Sequence, residues 1–111
     1  MENMFSDIPS DLPEELCQCL LRSESVRIER IISHGHRSPT GFWYDQEHHE
    51  WVLVLRGRAQ LQIKGSEAVE LKLGDYVNLP ARTPHRVVWT DPSEPTIWLA
   101  IHYTDTDLGQ T

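Results

Sequence analysis

From Ser25 onward, the chain alternates apolar and polar residues with a period of two, in runs too short for helices. SVRIERII begins the series, and GFWYD, WVLVLRG, AQLQI, AVELKL, YVNLP, HRVVWT and TIWLAIHY continue it. A period of two is the signature of strands whose side chains point alternately to a core and away from it. Turn-forming residues punctuate the runs at Lys64-Gly65-Ser66, Gly74-Asp75, Pro80 to Pro84 and Asp91 to Pro95. About eight short strands at such spacing make a sandwich or a closed barrel. No helical pattern alternates with them, so a parallel α/β sheet is disfavoured.

Upstream of Ser25 the pattern changes. Leu12, Leu16, Cys17, Leu20 and Leu21 recur at spacings of three and four. Asp11 and Glu14 resemble a capping box around Pro13, which predicts a short amphipathic helix over Ser10 to Leu21. The expected organisation is an N-terminal segment over 1–24 with that helix, a barrel over 25–105 and a tail over 106–111. WVLVL and TIWLAI are apolar on both faces, so a second layer should cover their outer side. The N-terminal helix or a second copy of the chain, as a homodimer, would supply it.

Charge narrows the partners. The net charge is −7, and Lys and Arg are scattered along the chain, so nucleic acid is not an expected partner. No apolar run reaches the roughly 18 residues of a membrane span, so no membrane partner is expected. The acidic, polar start MENMFSDIPSD lacks the pattern of a secretion signal, and a cytoplasmic location is expected. Cys17 and Cys19, the only cysteines, lack the second pair that a zinc site would need. No nucleophile elbow, phosphate loop or dinucleotide fingerprint is present.

Strand parity locates a pocket. If Glu50 points inward, Val52 and Val54 follow it, and Tyr44, Gln46 and His48 share that side as far as the strand extends upstream. On a later strand, inward His85 brings Val87 and Trp89 with it. Polar residues at strand starts and apolar ones further along describe a wet mouth over an apolar floor. Tyr44 and Trp89 are placed to stack on a small ligand. Arg82 and Arg86 flank His85 and could hold an anion or pair with surface carboxylates. His34 and His36 fall in a loop, and His102, on the last strand, reads as a structural histidine.

Two of these stretches resemble the paired motifs of the cupin family. Glu50 to Gly57 matches the Glu-x6-Gly half of the first motif. Gly74 to His85 matches Gly-x5-Pro-x-Gly-x2-His, with Arg82 in place of the inner Gly. The resemblance runs from about Val26 to Tyr103, and Ser38 to Gln46 is similar to a small single-domain branch of the family. It implies an all-β double-stranded β-helix, or jelly-roll barrel. It also implies a divalent metal (Fe, Mn, Ni or Zn) held by two histidines and a glutamate of motif one and a histidine of motif two. Glu50 and His85 fill two of those positions. Tyr44 and Gln46 stand where the motif-one histidines belong, and Trp89 replaces the motif-two Asn. His48 or His49 could join Glu50 and His85 as the third ligand of an open, catalytic type of site, with Gln46 as a weak oxygen donor.

The functions implied are a metal-dependent small-molecule enzyme of dioxygenase or isomerase type, with Tyr44 as acid-base group. A metal-free module that binds or senses a small ligand is the alternative, as is a structural dimer with a vestigial pocket. Without a metal, Glu50 and His85 would hydrogen-bond to each other.

Overall fold

The computed structural model describes residues 1–105; the 106–111 tail lies outside the described residues. Eight strands make up the described chain: β1 (Leu16–Arg22), β2 (Val26–Ser33), β3 (His49–Arg56), β4 (Arg58–Ile63), β5 (Val69–Lys72), β6 (Tyr76–Leu79), β7 (His85–Thr90) and β8 (Thr96–Tyr103). They form a five-stranded sheet in the order β1-β2-β8-β3-β6 and a three-stranded sheet in the order β5-β4-β7. All pairings are antiparallel. The two sheets face each other across a core of Val52, Val54, Ala59, Leu61, Leu71, Leu79, Trp98 and Ala100. This is the double-stranded β-helix expected from the alternation and the two motifs. Among the described residues, no helix is long and apolar enough to cross a membrane.

The helix expected over Ser10 to Leu21 does not form. Its second half is strand β1, paired with β2 from Leu16↔Ile32 to Arg22↔Arg27 with one irregularity between Cys19 and Leu21. A helix this short is marginal by itself. The open edge of β2 instead offers a ladder of backbone donors and acceptors. The spacing of leucines by threes and fours loses to that ladder. Buried Arg30 secures the segment further: it donates to Gln18 Oε1, to the Met4 carbonyl at 3.1 Å and to the Ser6 carbonyl at 2.7 Å. His36 adds a contact between its Nε2 and the Leu12 carbonyl at 3.0 Å.

GFWYD, read as a strand, is instead part of the long connection from β2 to β3. Phe42 N–H closes a turn onto the Pro39 carbonyl, and Gly41 sits at φ +80°. Only Tyr44 pairs, through a single antiparallel bridge to His85. Eight strands are thus present, with β1 in the place assigned to GFWYD.

Two turns carry the motif residues. Gly57, at φ +86°, packs so closely that an added Cβ would lie 2.6 Å from Thr96 Oγ1 and 2.7 Å from Thr96 Cα. Glycine is therefore required there on both conformational and steric grounds. Arg82 occupies the position of the motif-two inner glycine and keeps the left-handed backbone, at φ +60°. Its N–H donates to the Gln46 carbonyl at 2.8 Å, and its guanidinium lies 3.4 Å from Asp45 and 3.2 Å from Glu47.

Candidate functional site

The register of the five-stranded sheet builds the site rung by rung. The first rung aligns Arg27, His102, Glu50 and Leu79 across β2, β8, β3 and β6. The second aligns Glu29, Ala100, Val52 and Val77, and the third aligns Ile31, Trp98 and Val54. Opposite them, the three-stranded sheet presents His85 and Val87 on β7 and Leu61 on β4. The result is a cavity of about 190 Å³ between the sheets. Glu50, His85 and His102 are buried in its wall, Val52, Leu61 and Trp98 line its apolar part, and exposed Glu15, Cys17 and Tyr44 stand where it opens.

At the centre, His85 Nε2 lies 3.4 Å from Glu50 Oε1. The side chains are 7% and 11% exposed, so neither relies on water for its charge balance. His85 Nδ1 lies 2.8 Å from the Thr83 carbonyl. A carbonyl oxygen only accepts, so Nδ1 carries a hydrogen. Nε2 then faces the carboxylate either protonated or as a bare lone pair, and a bare lone pair against an ionised carboxylate is repulsive. A proton on Nε2 relieves that repulsion, and the contact is then an ion pair at 3.4 Å rather than a well-formed hydrogen bond. Burial alone would push the imidazole pKa down, but the contact with Glu50, the Thr83 carbonyl and the Glu50 charge together raise it above the ordinary histidine value.

A second set of groups adjoins the first. His102 Nε2 is 3.1 Å from Glu29 Oε1 and 4.0 Å from Glu50 Oε2, and its Nδ1 is 3.0 Å from His48 Nε2. Burial, followed by the neighbouring His102 and Arg27, holds the His48 pKa down. Arg27 Nε lies 3.1 Å from Glu29 Oε2, but its N–H points off that line, so the contact is an ion pair without a well-formed hydrogen bond.

Tyr44 lies beside His85, with ring centroids 5.7 Å apart and planes inclined by 26°. Two backbone hydrogen bonds fix it there, Tyr44 N–H to the His85 carbonyl at 2.8 Å and His85 N–H to the Tyr44 carbonyl at 3.0 Å. Burial, then the charges of Glu15, Cys17 and Glu50, raises the Tyr44 pKa, so the phenol keeps its proton at neutral pH.

The residues singled out in the sequence separate into two groups. Tyr44, Gln46, Glu50 and His85 all line the cavity. His48, His49, Trp89 and Arg82 do not. His48 is turned onto His102, where parity in a regular strand would have aimed it inward. His49 is on the outer face of β3, accepting from the Ala81 N–H at 2.9 Å and lying 3.0 Å from Asp105. Trp89 leaves the cavity because the register slips: Leu61 pairs with Val87, but Gln60 pairs with Trp89, so Val88 is an extra residue. The parity set at His85 is reversed, and the Trp89 ring lies beneath the Arg58 guanidinium at 5.8 Å. Arg82 is exposed and engaged with Asp45 and Glu47, and Arg86 donates to the Ser38 and Pro39 carbonyls. Sequence reasoning missed Glu15, Cys17, Arg27, Glu29 and the inward role of His102. Three of these were legible as one face of an alternating strand: Arg27 and Glu29 share a side of β2 with Ile31, and His102 shares a side of β8 with Trp98 and Ala100.

The fold and the paired motifs define a cupin barrel, and the comparisons agree. The cupin domain model matches residues 31–102, and the chain belongs to that family. A crystal structure from Ralstonia eutropha JMP134, provisionally called a mannose-6-phosphate isomerase, is similar at 44% identity and a TM-score of 0.92, covering 95% of this chain and 98% of that one. A cupin superfamily protein from Desulfitobacterium hafniense shares the fold at 19% identity and a TM-score of 0.73, covering 88% and 84% of the two chains. An RmlC-like cupin with a double-stranded β-helix from Methanocaldococcus jannaschii does so at 15% identity and a TM-score of 0.69, covering 95% and 94%. No curated protein matches the chain.

The divalent metal of the family's usual site does not fit these side chains. Two of its four ligand positions hold Tyr44 and Gln46, and His48 and His49 are committed elsewhere. Among the described residues, no three His, Cys, Asp or Glu side chains converge as a metal site.

Proposed function

We propose that this cupin is a proton-transfer isomerase for a small hydroxy-carbonyl compound, working through the Glu50–His85 pair without a metal. The observation that carries this reading is the buried pairing of His85 Nε2 with Glu50 at 3.4 Å, with His85 Nδ1 turned onto the Thr83 carbonyl. Isomerisation next to a carbonyl needs a base to take a hydrogen from carbon and an acid to hold the developing oxyanion. In the productive step, His85 gives its Nε2 proton to the substrate carbonyl oxygen while Glu50, freed as a carboxylate, takes the hydrogen from the neighbouring carbon. Glu50 then returns that hydrogen to the former carbonyl carbon, and the hydroxyl on the neighbouring carbon gives its proton to His85 as it becomes the new carbonyl, which completes an isomerisation with no net gain or loss of atoms. Tyr44 stands beside His85 with its proton in place and serves as a further donor to a substrate oxygen. The similarity to the Ralstonia eutropha protein supports the reaction class. A dioxygenase reading would need a metal-holding set that these residues do not make.

The reading places the protein in a reducing, cytoplasmic setting, which suits the free thiols of Cys17 and Cys19. It also takes up the homodimer: the outer face of the five-stranded sheet presents half-buried Ile28, Trp51, Leu53, Leu99 and Ile101 in adjacent registers, a surface suited to a second copy.

The test is wash-in of solvent deuterium at the carbon next to the carbonyl, followed by NMR over a panel of aldoses and ketoses with chelator present. Exchange in the native protein, reduced at least 100-fold in Glu50→Gln and in His85→Asn, is expected. Exchange that appears only when a divalent metal is added, or that survives both substitutions, counts against the reading.

A further inference from the structure

The cavity wall is strongly biased in charge. Glu15, Glu29 and Glu50 all line it, and among the described residues Arg27 is the only lysine or arginine that does. That arginine is already 3.1 Å from Glu29. Of the arginines near the site, Arg82 is engaged with Asp45 and Glu47 and Arg86 with backbone carbonyls, while exposed Arg37 lies outside the cavity, in the adjoining cleft beside Glu15 and Tyr44. Within the cavity, among the described residues, no unpaired lysine or arginine meets a phosphate group, which such a side chain would ordinarily hold, and His85 faces Glu50. The remaining polar partners suit neutral oxygens. Gln46 and Tyr44 offer an amide and a phenol to such oxygens.

We propose that the cavity takes uncharged or amine-bearing hydroxy-carbonyl compounds and turns away phosphorylated ones, because its three carboxylates face a single, already paired arginine. This rests on the cavity being the substrate site, and it parts from the phosphate ester in the description of the Ralstonia eutropha relative. The charge bias is also felt by the groups at the opening. Burial and then the charges of Glu15, Glu29 and Glu50 push the Cys17 thiol up to about 11.

Cys17 provides the test, because it lines the opening while Cys19, two residues along the same strand, does not. Two thiol reagents of opposite charge, a trimethylammonium-ethyl and a sulfonatoethyl methanethiosulfonate, are compared at Cys17 in a Cys19→Ala protein and at Cys19 in a Cys17→Ala protein. The same thiolate attacks the sulfur of both reagents and expels methanesulfinate from each, so the ratio of the rates is independent of the thiol pKa and reads the local potential. The cation-to-anion ratio should be at least tenfold higher at Cys17 than at Cys19, and should fall in Glu15→Gln, a change at an exposed position. Mannose 6-phosphate should protect Cys17 no better than mannose. An equal or lower ratio at Cys17, or stronger protection by the phosphate ester, overturns the proposal. Neither readout involves proton transfer, so a failure of the isomerase reading, seen as absent deuterium exchange, is separately visible.

Discussion

At the scale of single residues, the site depends on how His85 is held from both sides. Thr83 fixes one ring nitrogen as a donor, and Glu50 meets the other. A histidine whose folded pKa is raised stabilises the fold fully below its unfolded value of about 6.5, and the benefit fades as pH rises through the folded value. The native protein should therefore lose stability against urea between about pH 6 and the alkaline side of neutrality. Glu50→Gln should flatten that part of the profile; a native profile that rises over the same range would show that the imidazole is not held protonated. Gly57 and Arg82 make a second contrast, since both have positive φ but only Gly57 is also crowded. Gly57→Ala should cost about 2–4 kcal/mol, strain and clash together. Arg82→Gly should stay within about 1 kcal/mol of native, because relief of backbone strain offsets two exposed ion pairs. Thermal or urea unfolding reads both. Alternation alone placed Glu50 and the inward face of β3 correctly. It failed for Trp89 because one extra residue reverses parity, and nothing local in HRVVWT marks the bulge.

At the scale of elements, β1 shows why the rest was hidden. Its leucine spacing suits a helix, and the reason it is a strand lies in β2, whose edge it completes. Arg30 reports on this union, since it reaches from β2 to Gln18 on β1 and to the carbonyls of Met4 and Ser6. Arg30→Ala should destabilise the protein by about 2–3 kcal/mol, the cost of removing a buried charged donor from its acceptors. It should also speed amide exchange in β1 more than in β4. Uniform exchange across both strands would place Arg30 outside this role. The same logic explains the missed site residues. Arg27 and Glu29 look like the solvent face of an amphipathic strand until β1 and β8 flank it and the opposite sheet turns that face into a cavity wall.

At the scale of the whole molecule, the two sheets divide the work. The five-stranded sheet carries the acids and His102, and the three-stranded sheet carries His85, so the reactive pair exists only when the sandwich is closed. The two motifs made this legible, because they place Glu50 and His85 on strands that a jelly roll brings face to face. The outer face of the larger sheet should be covered by a second copy. Sedimentation should give a dimer, and Ile101→Lys with Leu53→Lys should return single chains; a native monomer would leave that face without a partner. The proton shared by Glu50 and His85 is read by long-range nitrogen–proton NMR of the His85 ring in chelator-treated protein. Protons on both ring nitrogens at pH 6, lost with a midpoint above 6.5, are the expected result. A bare Nδ1, or a midpoint below that of a free histidine, would contradict it.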